Sequence, residues 1–363
     1  TQIINNCLLG RLSMKKWKKI CCIVVSMVLM IAILCIAVLH KQIKSVNSIE
    51  KVTDDFYIMN YYADYKLDNM LEQGISTEEE LEDFLSANIF FGYSISGNES
   101  YYGGGCTAFS VMTPEGKYIS GKNFDYDPTE ILLVYTHPED GYASYSMVDL
   151  DIMGVGKKND VSSDSLFGKI TMLSAPYLVC EGMNEKGVFI GIEELETEAI
   201  HQDNGKTDLL LFLAVRAMLD KCVTVDECIS LLGNYDIHTQ FDTPFHLLIS
   251  DANGKSVVVE WVDNQMNVLD HNYCTNFQLS DGKDYWVGIG QDRYETVEKK
   301  LKETENILSI EDAMKLLHDT RIEWNGEWDT EWSVVYNQSD FSVDVCIRMD
   351  YDHVYRISRE YFK

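Results

Sequence analysis

An α+β fold, with antiparallel sheet packed against helices, is what this sequence predicts. Three observations carry the prediction. Strand-like runs joined by tight turns fill 107–121 and 245–261, capped helices lie between them around 209–233, and strands return over 332–357. The 363 residues are 46% hydrophobic with only 5 prolines, enough apolar side chain for a large buried core. A net charge of −28 excludes nucleic acid as a natural partner, because binding it needs a basic footprint.

The first elements are read from charge. Residues 1–19 carry Arg11, Lys15, Lys16, Lys18 and Lys19 and no acid. Residues 20–39 are apolar except Ser26, a length that spans a bilayer at the helical rise, and His40, Lys41 and Lys44 follow. The stronger positive cluster precedes the run. This predicts a single-pass anchor in the cell membrane, with the remainder on the extracellular side. A cleaved signal peptide with secretion is the alternative, although no small-x-small cleavage site stands near 36–40. The chain thus divides into a basic segment with anchor (1–44), a segment 45–105 expected to be helical, and a domain 106–363. Ser76 to Glu80 give a cap and acids before Leu81, Phe84 and Leu85 at helical spacing.

Gly103, Gly104 and Gly105 then make a flexible segment immediately before Cys106. Residues 107–113 and 117–121 flank Pro114-Glu115-Gly116 as a hairpin. A short strand is expected at 188–192, an apolar helix at 209–219, and a helix capped at Thr224 that ends near Gly233. Asp251-Ala252-Asn253-Gly254 turns a second hairpin. Residues 294–302 and 311–318 read as helices, and 332–336, 343–347 and 354–357 as strands.

The ten cysteines show no CxxC pair, and no HExxH occurs, so zinc chemistry has little support. Asp125-Tyr126-Asp127 lacks convergent partners for a metal. No cofactor is implied. Cys106 opens one arm of the first hairpin and Asp125 follows the other, which brings a thiol and a carboxylate to one end of it. Taken singly, Cys106 reads as a buried hydrophobe, Asp125 as a turn cap, Asn276 as a turn residue and Arg293 as the start of a solvated helix.

Together with Glu181-Gly182-Met183-Asn184-Glu185-Lys186-Gly187, Gly254 to Glu260, Cys274-Thr275-Asn276, Arg293-Tyr294 and Glu331 to Tyr336, they form an ordered set. This set resembles the N-terminal-nucleophile amidohydrolases of the choloylglycine hydrolase and acyl-CoA:6-aminopenicillanate acyltransferase group, over most of 105–363. The resemblance implies a four-layer αββα sandwich and self-cleavage between Gly105 and Cys106, which makes 45–105 a pro-segment. The freed α-amine would act as base for the Cys106 thiol, because it titrates near pH ~8. An acyl-enzyme on Cys106 would then be hydrolysed. By matching position, Asp125 would hold the α-amine. Asn276 would donate to the oxyanion, a contribution of ~3 kcal/mol. Arg293 would hold the Cys106–Asp125 cluster.

Lys122 stands where relatives that cleave bile salts or penicillin V have Arg, beside Asn123. Glu193 or Glu194 stands where an oxyanion donor is often found, and a carboxylate there opposes negative charge or faces a cationic part of the substrate. The implied partner is a small-molecule N-acyl amide. Acyl transfer through the same acyl-enzyme, and a catalytically dead membrane-anchored sensor on this scaffold, are the other readings that stay open.

Overall fold

The computed structural model describes residues 17, 19–27, 30, 37–90, 92, 104–324 and 328–363. In chain order the strands are β1 (Glu50–Lys51), β2 (Phe56–Tyr61), β3 (Gly105–Met112), β4 (Tyr118–Tyr126), β5 (Ile131–Thr136), β6 (Ser144–Asp149), β7 (Glu181–Asn184), β8 (Phe189–Glu194), β9 (Thr207–Leu210), β10 (Tyr235–His238), β11 (Phe245–Ser250), β12 (Ser256–Val262), β13 (Gln265–Leu269), β14 (Tyr273–Cys274), β15 (Asp329–Asn337), β16 (Ser342–Ile347) and β17 (Tyr355–Ser358). The helices are α1 (37–47), α2 (Leu67–Gln73), α3 (Glu78–Asn88), α4 (Leu166–Thr171), α5 (Leu211–Lys221), α6 (Val225–Leu232), α7 (Gln291–Glu303) and α8 (Ile310–Asp319).

A nine-stranded sheet runs β1-β2-β5-β6-β7-β8-β11-β12-β13, and a six-stranded sheet runs β14-β3-β4-β15-β16-β17. The two face each other, β3 lying against β8 and β11. Helices α5 and α6 cover the outside of the large sheet, and α7 and α8 cover the small one. This is the expected αββα sandwich. Each sheet is therefore covered on both faces, and strands such as β11 are buried along their whole length. Phe109, Val111 and Ile119 of the small sheet form a separate outer core with Val297, Leu301 and Leu317 of the helices. Local signals hold where side chains cap the backbone. Thr224 accepts from the Glu227 amide at the start of α6, and Thr77 from the Glu80 amide at the start of α3. The helix expected from 209 begins at Leu211, because Thr207–Leu210 pairs in parallel with β10 instead.

The helical expectation for 45–105 needs correction. Helices α2 and α3 are present, but β2 is a strand inside the large sheet, paired in parallel with β5. Its six residues are all buried. Burying Phe56, Tyr57, Ile58, Met59 and Tyr61 contributes roughly 10 kcal/mol as an upper estimate. Polar contacts reinforce this. Tyr61 donates to the Leu173 carbonyl at 2.9 Å, and Tyr65 to Asp220 at 2.5 Å. Arg348 reaches Asp55 at 3.1 Å.

Among the described residues no helix is long and apolar enough to cross a membrane. Residues 28, 29 and 31–36 of the expected anchor lie outside the described residues, as do 93–103, which include Gly103. The eight described cysteines are all free thiols.

Two outcomes follow from this packing. A cut at Gly105–Cys106 should leave 45–105 bound through β2, so both fragments co-elute in size-exclusion chromatography and part only in denaturant. Elution apart in native buffer would contradict the burial argument. The second concerns two buried acids: burial pushes Asp149 up to about 7 against the Thr129 hydroxyl, and Glu331 up to about 8 against the pull of Arg348. The folded state then holds protons that the unfolded chain releases near pH ~4. Their stabilising share is present at low pH and lost as pH rises through 7 to 8. Melting temperature should therefore fall less steeply from about pH 5 to about pH 9 in Asp149→Asn than in the wild type.

Candidate active site

The register of β3 against β4 arranges the site. Gly105 lies opposite Asp125, Cys106 opposite Phe124, Thr107 opposite Asn123 and Ala108 opposite Lys122. Side chains alternate faces along a strand, and directly opposed residues share one. Cys106, Phe124 and Lys122 therefore point into the space between the sheets. Asp125, Thr107 and Asn123 point toward α7 and α8, where Asn123 donates to the Leu317 carbonyl at 2.8 Å. The hairpin brings thiol and carboxylate to one end, as expected, but on opposite faces of the sheet.

On the inner face Cys106 is buried, and Lys122 Nζ lies 3.4 Å from its Sγ. The same ammonium lies 3.0 Å from Glu181 Oε2, with both side chains fully buried. The stem of Lys122 passes over Gly191. A Cβ there would come within 3.2 Å of Lys122 Cδ and 2.7 Å of Glu193 Oε1. Burial pushes the Cys106 thiol up to about 12, opposed by Lys122 and reinforced by Glu193, Asp125 and Glu181. Burial also works against the Lys122 charge, yet Cys106, Glu181 and Glu193 hold the ammonium above its ordinary value. Burial raises Glu193, with Lys122 and His246 pulling the other way. Compared with Arg, Lys offers one compact charge and three donors, so a single nitrogen serves both sulfur and carboxylate.

The backbone of Cys106 is held from the edge and the outer face. Its N–H donates to Asn276 Oδ1 at 2.6 Å. Arg293, at the start of α7, donates from Nη2 to Asn276 Oδ1 at 2.9 Å, and from Nη1 to Thr107 Oγ1 at 2.9 Å, to Asp125 Oδ2 at 3.3 Å and to the Cys106 carbonyl. Burial raises Asp125, while Arg293 and the Thr330 hydroxyl, 2.5 Å from Oδ1, act against it. Asn276 Nδ2 donates to the Glu194 carbonyl at 2.9 Å. In the uncut chain, then, Asn276 rather than Asp125 holds the Cys106 nitrogen, and the Asn276 donor expected at an oxyanion is spent on Glu194. The Glu194 carboxylate in turn accepts the Gly104 N–H at 2.9 Å and so holds the segment before Cys106.

Glu193 faces inward instead, 3.4 Å from the Cys274 thiol. Among the described residues, Glu193, His246 and Cys274 form the one group whose ligand atoms converge as a metal would require. They do not fit an ion. His246 is engaged at both ring nitrogens, by Glu260 at 3.1 Å and by the Thr275 carbonyl at 2.7 Å. Two acceptors on one ring call for the imidazolium, and Glu260 raises His246 against its desolvation. No lone pair is left for coordination. Asn184 is a turn residue, its Oδ1 accepting from the Lys186 and Val188 amides. Trp332 is core, stacked on Phe124 at 3.9 Å, whereas Trp324 is exposed.

The structure places Cys106, Lys122, Asp125, Asn276 and Arg293 at one end of the β3–β4 hairpin, as the sequence predicts. Sequence reasoning missed Glu181, which stood only as the first letter of a motif, Thr107, whose partner Arg293 comes from α7, and Thr330, which meets Asp125 only once β15 is paired beside β4.

Two facing sheets between helical layers, with a cysteine opening a central strand of one of them, define an N-terminal-nucleophile hydrolase-like fold. Residues 106–317, more than half the chain, match the family of linear amide C–N hydrolases, choloylglycine hydrolase family, and the chain belongs to that family. It is similar to the bile salt hydrolase/transferase of Clostridium perfringens (strain 13 / Type A), 25% identical over 182 residues, or 46% of this chain and 51% of the relative. The chain thus spans about half the length of that curated relative. Solved structures of two variants of the conjugated bile acid hydrolase from Clostridium perfringens each match with a TM-score of 0.53 and 16% identity, covering 70% of this chain and 93% of theirs. They share its fold.

Removing one partner of the buried Arg293–Asp125 pair leaves an uncompensated charge. Arg293→Met should therefore lower stability by about 3–5 kcal/mol in denaturant unfolding. A loss below about 1 kcal/mol would mean that Arg293 does not tie α7 to the hairpin.

Proposed function

We propose that the protein is a self-processed cysteine hydrolase that cleaves a non-peptide linear amide, of N-acyl amine or N-acyl amino acid type, through an acyl-enzyme on Cys106. The observation that carries this reading is the environment of Cys106. It opens a strand directly after glycines, has Lys122 Nζ at 3.4 Å from its sulfur, and has its nitrogen bound by Asn276 and its carbonyl by Arg293.

In the precursor the thiolate attacks the Gly105 carbonyl. A thioester forms as the Gly105–Cys106 amide breaks and frees the Cys106 α-amine, and water then hydrolyses the thioester to the Gly105 carboxylate and the Cys106 thiol. The Glu194 carboxylate positions the segment for this step by holding the Gly104 N–H. The free α-amine, no longer an amide, accepts the thiol proton and later returns it to the leaving amine. Asn276 Oδ1 already faces that nitrogen and orients it, and Arg293 fixes Asn276 in place. The oxyanion takes Asn276 Nδ2, turned from the Glu194 carbonyl, together with backbone amides. Lys122 offsets the cost of a buried thiolate, which weighs against a dead scaffold. The relative's name joins hydrolase with transferase. On the same acyl-enzyme, an amine that outcompetes water would give transfer.

The proposal also puts the catalytic domain outside a membrane. Apart from half-buried Leu39, the described residues of the apolar run 20–39 are exposed, Ile20 and Val24 more than half so, beside a basic flank.

Full-length wild type should yield a fragment beginning at Cys106 on N-terminal sequencing, and Cys106→Ala should not. Hydrolysis of a fluorogenic N-acyl amide should fall by at least about a thousandfold in Cys106→Ala. Equal rates in the two would remove Cys106 as nucleophile. An uncut but folded wild type would leave the thiol without its base.

A further inference from the structure

Both side chains of the Lys122–Glu181 pair are fully buried, and their surroundings are organised around the carboxylate. Glu181 Oε2 lies 3.0 Å from Lys122 Nζ. The other oxygen, Oε1, accepts from Trp332 Nε1 at 3.1 Å and from the Tyr336 hydroxyl at 3.1 Å. Both donors come from β15, the strand next to β4, and stand at alternate positions on one face. Glu181 itself comes from β7 of the opposite sheet. The carboxylate therefore links the two sheets, with hydrogen bonds at Oε1 and the ion pair at Oε2. Lys122 is fixed along its length as well: its stem lies over Gly191, and its ammonium sits 5.4 Å from the Phe124 ring, which stacks on the same Trp332.

We propose that Glu181 is a positioning residue for the reaction: held by Trp332 and Tyr336, it keeps Lys122 charged and aimed at Cys106 Sγ, so that the nucleophile is stabilised as thiolate by a cation that burial alone would neutralise. The inference rests on Cys106 being the nucleophile of the proposed hydrolysis. The physical reason is an asymmetry. An isolated buried lysine sheds its proton, and a neutral amine beside the sulfur gives no stabilisation. With Glu181 as counter-ion the ammonium persists, and it keeps a further N–H for the sulfur. The other titratable groups around the pair are Glu193, Asp125, Cys180 and Tyr336. Glu193 and Asp125 both oppose the thiolate, and burial raises both toward the neutral form. The Glu181 charge opposes the thiolate directly as well, but unlike the other two it also acts on sulfur through the Lys122 ammonium.

The test is a thiolate titration by ultraviolet difference absorbance, each chain being read against its Cys106→Ser counterpart, so it does not depend on any substrate. Circular dichroism checks folding. In Glu181→Gln, which still accepts from Trp332 and Tyr336, the Cys106 midpoint should rise by about one pH unit or more, a tenfold lower thiolate fraction at neutral pH. Glu181→Asp, which keeps the charge, should shift it by less than half as much. Lys122→Met should also raise the midpoint, and Lys122→Met/Glu181→Gln should coincide with Lys122→Met alone. A folded Glu181→Gln whose titration superimposes on wild type overturns the proposal, as does a double variant displaced from Lys122→Met. Should Glu181→Gln fail to fold, Glu181→Asp and the double variant, which carries no unpaired buried charge, decide the matter by the same criteria. If amide hydrolysis is missing in wild type while the shift is present, the hydrolase reading falls and the role of Glu181 stands. If hydrolysis is present while the midpoint does not move, the role of Glu181 falls and the hydrolase reading stands.

Discussion

The pairing of Gly105 with Asp125 across β3 and β4 is the constraint from which the site follows. A slip of one residue between the two strands would put Cys106 and Asp125 on the same face of the sheet. In the register adopted, the chemistry is divided by the sheet itself. The sulfur and its cation lie in the dry interior, whereas the residues that hold the Cys106 backbone lie at the edge and on the outer face. Arg293 makes that division possible. From α7 it reaches the Cys106 carbonyl, Thr107, Asp125 and Asn276 together, so the helix docks onto the hairpin by its charge.

Burying this much charge requires each group to have a partner. Lys122 has Glu181, Arg293 has Asp125, and His246 has Glu260. A buried pair of this kind adds little to stability compared with an apolar pair of the same shape, but removal of one member is costly. The value of these pairs therefore lies in geometry: they fix where each nitrogen and oxygen points, which packing alone does not do. Glu193 has no such ion pair among the described residues: its Oε2 accepts from the Cys274 thiol, and its Oε1 lacks a hydrogen-bond partner. Burial answers that by raising its proton affinity, so it does not add a second negative charge beside the sulfur.

The segment before Cys106 belongs to the fold. Strand β2 fills a position in the large sheet that no later strand occupies, and Tyr65 and Asp55 tie it to Asp220 and Arg348. A processing event at Gly105–Cys106 would thus separate covalent continuity from structural continuity. The strand of the proposed nucleophile would gain a free end while the sheet beneath it stays whole.

Local features were legible in the sequence because their causes are local. The turns at 113–117 and 251–255, the caps at Thr77 and Thr224, and the helices α6 and α8 follow from neighbouring residues. The ordered set from Cys106 onward identified the family and named the residues that the structure gathers around Cys106. Strand β2 was misread because its apolar run gains sheet character only from β5, a partner far along the chain, and a short apolar run carries no period of its own. Glu181 stayed hidden for a similar reason, since its three partners come from β4 and β15. By itself the sequence determined which residue types were available for the chemistry and where the chain turns. Only the tertiary structure decided which face each side chain occupies and which charge neutralises which. Those outcomes depend on register and on contacts between residues distant in the chain, and in a dry interior they set the protonation of every group involved.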